Sequence, residues 1–312
     1  MEIVKPILNR TIFFIILLLI PFVSCEKEIG SSGEPESIIL FPNEGGAFVK
    51  GSTYTITWSD SKSSSVRIKL LKSGVRNLQI TNATENNGEF IWTLPDDIEA
   101  GNDYTIKISS NSDDFIYAES ESPFSVIDKP SEYSEFIDIR DGQTYKTVKI
   151  GSQWWMTENF NYQPESESYC YNYDLNICEE FGSLYKRSYA KSFAPTGWHL
   201  PSDDEWKTME TYIGVIGLND EGYRGSNAGL LLKEGGGLGF DAKYAGYGMP
   251  RYGRYSSLNE LTYFWTSTYA SKGTYYWARQ LSLNENGINR IKMNNRYYAL
   301  SVRYVKGDLI EK

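Results

Sequence analysis

One histidine and three cysteines are all that the 312 residues hold of the side chains that most often ligate transition metals. A zinc centre built on four Cys or His ligands therefore has no full ligand set, and acid–base work by imidazole would fall on His199 alone. No stretch has the pattern of a phosphate-binding glycine loop, a dinucleotide fingerprint, a nucleophile elbow or an H-E-x-x-H helix. No metal, cofactor or catalytic residue is expected. Basic runs are also missing: 31 Lys and Arg stand against 40 Asp and Glu, a formal charge of -9. Such a chain repels polyanions, so nucleic acid is not an expected partner. Long apolar runs are confined to the start, where Lys5 and Arg10 precede Ile12 to Val23, broken only by Pro21. That run falls short of the roughly 20 apolar residues of a spanning helix and has the layout of a signal peptide.

The run ends in Phe22-Val23-Ser24-Cys25, which resembles a bacterial lipobox, with residues 1–24 removed and Cys25 acylated as the lipid anchor. Removing Glu2, Lys5 and Arg10 takes away one positive charge, so -9 becomes -10 in the 288 residues from Cys25 to Lys312. That length suits two domains. Residues 25–37, "CEKEIGSSGEPES", carry charge, Gly, Ser and Pro with little to bury, and read as a disordered spacer. Acidic residues directly after the cysteine resemble the export signals of Bacteroidetes surface lipoproteins. The expected location is the outer membrane, lipid-anchored and facing outward, with the periplasmic face as the alternative.

From 38 to 127 the apolar residues keep a period of two: Tyr54, Ile56 and Trp58; Val66, Ile68 and Leu70; Phe90, Trp92 and Leu94; Tyr104, Ile106 and Ile108. Alternation of this kind gives strands with one buried face. Turn signals such as "KSG" and "ENNG" space them as an all-β Ig-like sandwich. The wording "FPNEGGAFVKGSTYTITW", "NNGEFIWTLPDDIEAGNDYTIKISS" and "SPFSV" also resembles the Ig-like N-terminal domain of serine/threonine-rich, membrane-anchored cell-wall glycoproteins first described in yeast. That resemblance implies a spacer architecture and no chemistry.

Residues 128–135, "DKPSEYSE", read as a linker, and 308–312 as a tail. Between them, 136–307 open with "FIDIRDGQTYKTVKIGSQWWMTENFNY", whose Tyr145, Val148 and Ile150 lead into Trp154, Trp155 and Met156 as a hairpin feeding an aromatic core. This segment continues with "CYNYDLNICEEFGSLYKRSYA", "PTGWHLPSDDEW", "FWTST" and "ALSVRYVKG". In that order the motifs resemble the Fibrobacter succinogenes major paralogous domain. The resemblance implies an α+β, C-type-lectin-like fold related to the formylglycine-generating enzymes, whose working cysteine pair lies late in the domain. Here no cysteine follows Cys178, so that chemistry is not expected.

His199 and three acids share the stretch "GWHLPSDDEW". Ser202 and Glu205 have the S-x-x-E spacing of a capping box, and Asp203 and Asp204 fall in the first turn, where the helix dipole favours carboxylates. Trp206, Met209, Tyr212 and Ile213 recur at helical spacing before Gly214. The cluster reads as helix punctuation.

Cys170 and Cys178, eight positions apart, are expected to form a local disulfide in an oxidising compartment. In related domains a cysteine precedes the Pro of P-x-G-W-H and another follows S-V-R; here Ala194 and Tyr304 stand there. The joint loss implies that the two bond to each other in relatives and that this chain holds its last strand by packing. The lectin calcium signature is incomplete, since "QPE" at 163–165 has no later Trp-Asn-Asp, and Asp174 adds little. The richest candidate surface is "YAGYGMPRYGRYSS", with Tyr244, Tyr247, Tyr252 and Tyr255 beside Arg251 and Arg254; Tyr223 and Arg224 form a smaller pair. Tyrosines can stack on sugar rings while guanidiniums bind hydroxyls or carboxylates. The function expected is a non-enzymatic, lipid-anchored envelope protein binding glycan or another envelope protein. Its alternatives are a structural or adhesive component without small ligand, and an enzyme acting on envelope polysaccharide.

Overall fold

The computed structural model describes residues 38–59, 63–112, 117–164, 167–271 and 273–307. The readings placed on Cys25, the leader, the spacer, Glu165 and the tail lie outside them. No helix among the described residues is long and apolar enough to cross a membrane.

The alternating segments become two facing layers of an Ig-like sandwich. One is the sheet Ile39–Phe41, Thr53–Trp58, Glu89–Thr93; the other runs Ala47–Val49, Phe124–Ile127, Gly101–Ser110, Ser65–Lys72, Val75–Glu85, with Tyr117–Glu119 beside Gly101–Ser110. Ala47–Val49 joins Phe124–Ile127 in parallel, and the pairs among Ser65–Lys72, Gly101–Ser110 and Val75–Glu85 are antiparallel. Every second residue points inward, so Ile56, Trp58, Ile68, Leu70, Tyr104 and Ile106 are all buried. Phe90 is only half-buried, at the margin of that core.

The C-terminal part is mostly β, with short helices at Leu175–Phe181, Arg187–Ser192, Asp203–Tyr212 and Ala228–Leu232. Its first sheet has the order Tyr133–Ile137, Thr144–Ile150, Gln153–Met156, Val305–Lys306, Trp198–His199. The third strand of the region is thus joined to its last, since Trp155 pairs with Val305. The second sheet runs Ser168–Tyr169, Leu184–Lys186, Ala299–Leu300, Ala245–Met249, Leu261–Ser271, Tyr275–Ser282, Ile288–Asn294, Gly222–Arg224, and Arg254–Leu258 pairs with Ala245–Met249. Between the sheets lie Trp155, Trp206, Phe240 and Phe264, with ring centroids 5.0 to 5.9 Å apart. Aromatic pairs at this spacing add about 0.5–1.5 kcal/mol each beyond their burial. Tyr304, at the position where a cysteine was expected in relatives, is fully buried; its hydroxyl donates to the Ala190 carbonyl at 2.8 Å and its ring meets Phe160 edge-on.

Two differences from the sequence reading concern the junction. The first strand begins at Tyr133, inside the segment read as linker, and pairs Tyr133 with Val148. An edge strand with one solvent face tolerates such polar residues, which is why composition alone hides it. The same segment is tied back to the sandwich by Lys50–Asp128 at 2.6 Å and Lys129–Asp96 at 3.6 Å. The sandwich is also docked rather than set apart. Asn227 accepts from the Ala47 N–H at 3.2 Å and donates to the Ala47 carbonyl at 2.5 Å, so its amide continues the backbone pairing of a strand from another domain. Ser226 donates to the Gly45 carbonyl at 2.9 Å. One apolar core runs through both, from Ile56 and Phe124 to Trp206 and Leu231.

Candidate functional site

The hairpin of Ala245–Met249 and Arg254–Leu258 turns through Pro250–Tyr252, where proline sets the first dihedral and Gly253 takes a left-handed φ of 59°. This turn lifts Tyr252 into solvent, 53% exposed, with its ring stacked on Tyr297 at 6.1 Å and 28°. Tyr297, from the turn after Ile288–Asn294, is itself 37% exposed.

The disulfide loop borders the same hairpin. Cys170 and Cys178 are bonded, as their spacing indicated. Between them Asn172 and Tyr173 adopt left-handed φ values of 52° and 62°. Non-glycine residues there cost about 1–2 kcal/mol each and persist only where the surroundings hold them. The covalent loop does so, together with packing of Tyr171 and Tyr173 on Tyr255, centroids 5.4 and 5.3 Å away. The outcome is Tyr173 standing 64% exposed above Gly253, whose Cβ position would lie 3.7 Å from the Tyr173 hydroxyl. Tyr173, Tyr252 and Tyr297 thus form an aromatic surface rimmed by exposed Arg251, Arg254 and Arg296. Burial raises the Tyr255 phenol, reinforced by Tyr173, and raises Tyr263 to about 12, so both stay un-ionised at ordinary pH.

The other sequence candidates separate from this surface. Tyr247 is half-buried, edge-on to Tyr263 and Tyr298, and Tyr244 donates to the Ser282 carbonyl at 3.3 Å. Tyr223 is 41% exposed but sits on the far edge strand, beyond the ladder Tyr263, Gln280, Asn289. Four strand spacings put it about 19 Å from Tyr247. Arg224 is not available to a ligand at all: it is buried and pairs with Glu210 at 2.6 Å. Tyr173, Tyr297 and Arg296 escaped the sequence reading, since only the fold brings "CYNYDLNIC" and "NNRYY" to one hairpin.

The acidic stretch is structural, and more deeply so than a helix start requires. The capping box is present, with the Ser202 hydroxyl accepting from the Glu205 N–H at 3.1 Å and Glu205 accepting from the Ser202 N–H at 2.7 Å. The other Glu205 oxygen meets His199 Nε2 at 2.6 Å, while His199 Nδ1 faces the Gly307 carbonyl at 2.7 Å. His199 thus links Gly307 to the start of the helix Asp203–Tyr212. Burial pushes the Glu205 carboxyl up, but the hydrogen bonds from His199 and Ser202 outweigh it and hold it below the usual range. Asp203 and Glu210, buried, bind Arg279 at 2.8 and 2.5 Å, and Asp203 also takes Arg290 at 2.8 Å and Lys207 at 2.8 Å. Among the described residues no group of three His, Cys, Asp or Glu is placed to hold a metal.

Comparison with known families decides the identity of the larger part. The Fibrobacter succinogenes major domain matches residues 148–306, just over half of the chain. The chain belongs to that family. Ahead of this major domain, the Kre9/KNH-like N-terminal Ig-like domain matches residues 41–126, in the order the motifs indicated. No curated protein matches the chain. Among solved structures, the Bacteroides ovatus mixed-linkage glucan utilization locus SGBP-B, in complex with mixed-linkage heptasaccharide, is similar at 12% identity and a TM-score of 0.23. The match covers 85% of this chain and 49% of that one, so the chain spans about half the length of that protein.

Proposed function

We propose that this chain is a lipid-anchored envelope protein, held by Cys25 at the outer face of the outer membrane, that binds polysaccharide without turning it over. The major domain, in a C-type-lectin-like fold, carries the site, and the docked Ig-like domain orients it. The observation that carries the reading is the Tyr173, Tyr252 and Tyr297 surface: three exposed phenols, one of them on strained backbone, gathered from three loops. A sugar ring packs its C–H face on a phenol ring while neutral hydroxyls and guanidiniums meet its oxygens, an arrangement that needs no metal.

The test is affinity electrophoresis and calorimetry of the whole exported domain pair against a panel of soluble polysaccharides. Tyr252→Ala and Tyr173→Ala should each lower affinity at least tenfold with unchanged melting, whereas Tyr223→Ala leaves it intact. Equal affinity in all variants, or no binding across the panel, removes the reading. Labelling with radioactive palmitate in a bacterial host checks the anchor separately, and Cys25→Ser should abolish incorporation.

A further inference from the structure

We propose that the polysaccharide bound at the tyrosine surface is anionic, a chain bearing uronate carboxylates; this rests on the glycan-binding reading above and narrows it. The protein is acidic at -9, and several of its half-buried lysines are paired with carboxylates: Lys72 with Glu99, Lys149 with Glu132, Lys292 with Glu221. Among the buried arginines, Arg224, Arg279 and Arg290 are matched in the network around Asp203 and Glu210, whereas Arg303 is held by the Asn159 amide oxygen and backbone carbonyls. Exposed Arg76, Lys146 and Lys306 also lack a carboxylate partner among the described residues, but Arg251, Arg254 and Arg296 differ from them in gathering beside exposed tyrosine rings. All three are exposed, and among the described residues none has a carboxylate within ion-pair distance. They also sit together, since Arg251 and Arg296 are the chain neighbours of the stacked pair Tyr252 and Tyr297, and Arg254 closes the same turn two residues after Tyr252.

The acid nearest this rim in its loop does not neutralise it. Asp174 follows Tyr173, but it forms no ion pair with the three arginines, and its Oδ1 accepts within its own turn from the Asn176 N–H at 2.9 Å and side-chain amide at 3.0 Å. Unmatched guanidiniums beside flat exposed rings present two complementary features at once. The planar fork binds a carboxylate through two parallel hydrogen bonds, and the phenol faces take the sugar ring that carries it. A neutral glucan would use the rings and leave the arginines idle; a polyuronate uses both, in a protein whose overall charge otherwise repels polyanions.

The experiment compares polygalacturonate, the same polymer with its carboxyls reduced to alcohols, and dextran sulfate, using the exported chain and its Arg251→Gln, Arg254→Gln, Arg296→Gln triple variant. The wild-type chain should bind polygalacturonate at least tenfold more tightly than the reduced polymer, and the preference should weaken as salt rises. In the triple variant the two polymers should bind within threefold of each other, while Tyr252→Ala loses both. Equal binding of charged and reduced polymers by the wild type, or an undiminished preference in the triple variant, overturns the charge assignment and leaves the aromatic surface standing. Tighter binding of dextran sulfate than of polygalacturonate overturns the carboxylate as the group recognised. Failure of every polysaccharide to bind overturns both this inference and the function it rests on.

Discussion

Replacing Glu210 by glutamine is the sharpest probe of what holds the major domain together. The carboxylate is fully buried and accepts from Arg279 Nε at 2.5 Å and Arg224 Nη2 at 2.6 Å. Arg279 retains Asp203 at 2.8 Å in the variant, but Arg224 is left with the Ile288 carbonyl at 3.4 Å. Burial already disfavours the Arg224 charge, so its guanidinium becomes a desolvated cation without a counter-ion. Breaking a buried pair from one side costs about 3–5 kcal/mol, because the surviving charge keeps its desolvation penalty. At about 2–4 °C per kcal/mol for a unit of this size, the melting temperature should drop by roughly 10 °C. Urea unfolding followed by tryptophan fluorescence is suited to the measurement, since the Arg279 guanidinium lies 5.8 Å from the Trp206 ring centroid. The double change Glu210→Met with Arg224→Met removes both charges and should regain most of the loss. A cost below about 1 kcal/mol for Glu210→Gln, or no recovery in the double variant, refutes the view that this network is held by charge pairing.

Acid should unfold the domain through Asp203. Burial raises its carboxyl, but hydrogen bonds from Arg290, the charge of Arg279 and the contact with Lys207 outweigh that and hold it far below the ordinary value. A depressed carboxyl contributes stability above its unfolded pKa of about 3.9 and loses it as pH falls toward the folded value. Melting temperatures should therefore decline below about pH 5, and Asp203→Asn should melt lower at pH 7 with a flatter acid limb. Opening the disulfide by Cys170→Ser with Cys178→Ser should cost about 2.5 kcal/mol by loop entropy for a separation of 8 residues. Polysaccharide affinity should fall with it as Tyr173 leaves its strained backbone. Asn227→Ala orphans the Ala47 N–H and carbonyl, at about 1–3 kcal/mol per buried group, and should split one calorimetric transition into two as the Ig-like domain undocks. A single transition in that variant would show that the shared core alone couples the domains.

What the sequence settled by itself was local. The period of two over Tyr54, Ile56 and Trp58 marks a buried strand face because successive side chains leave a strand on opposite sides. Ser202 and Glu205 define a helix start because both partners of the capping box lie within one turn. Cys170 and Cys178 lie close enough in the chain to bond. The tertiary structure decided everything that depends on partners far along the chain. Asp203 and Glu210 read as ordinary helix acids until strands some 70 to 90 residues later bring Arg279 and Arg290 against them. Arg224 carries the same chemistry as Arg251, yet one is consumed in that network and the other faces solvent. No local pattern foretells that Asn227 grips a strand 180 residues earlier. Which of 24 tyrosines point outward was equally hidden, because a phenol serves a core and a sugar-binding surface with the same ring, and only the packing of distant loops assigns it to one or the other.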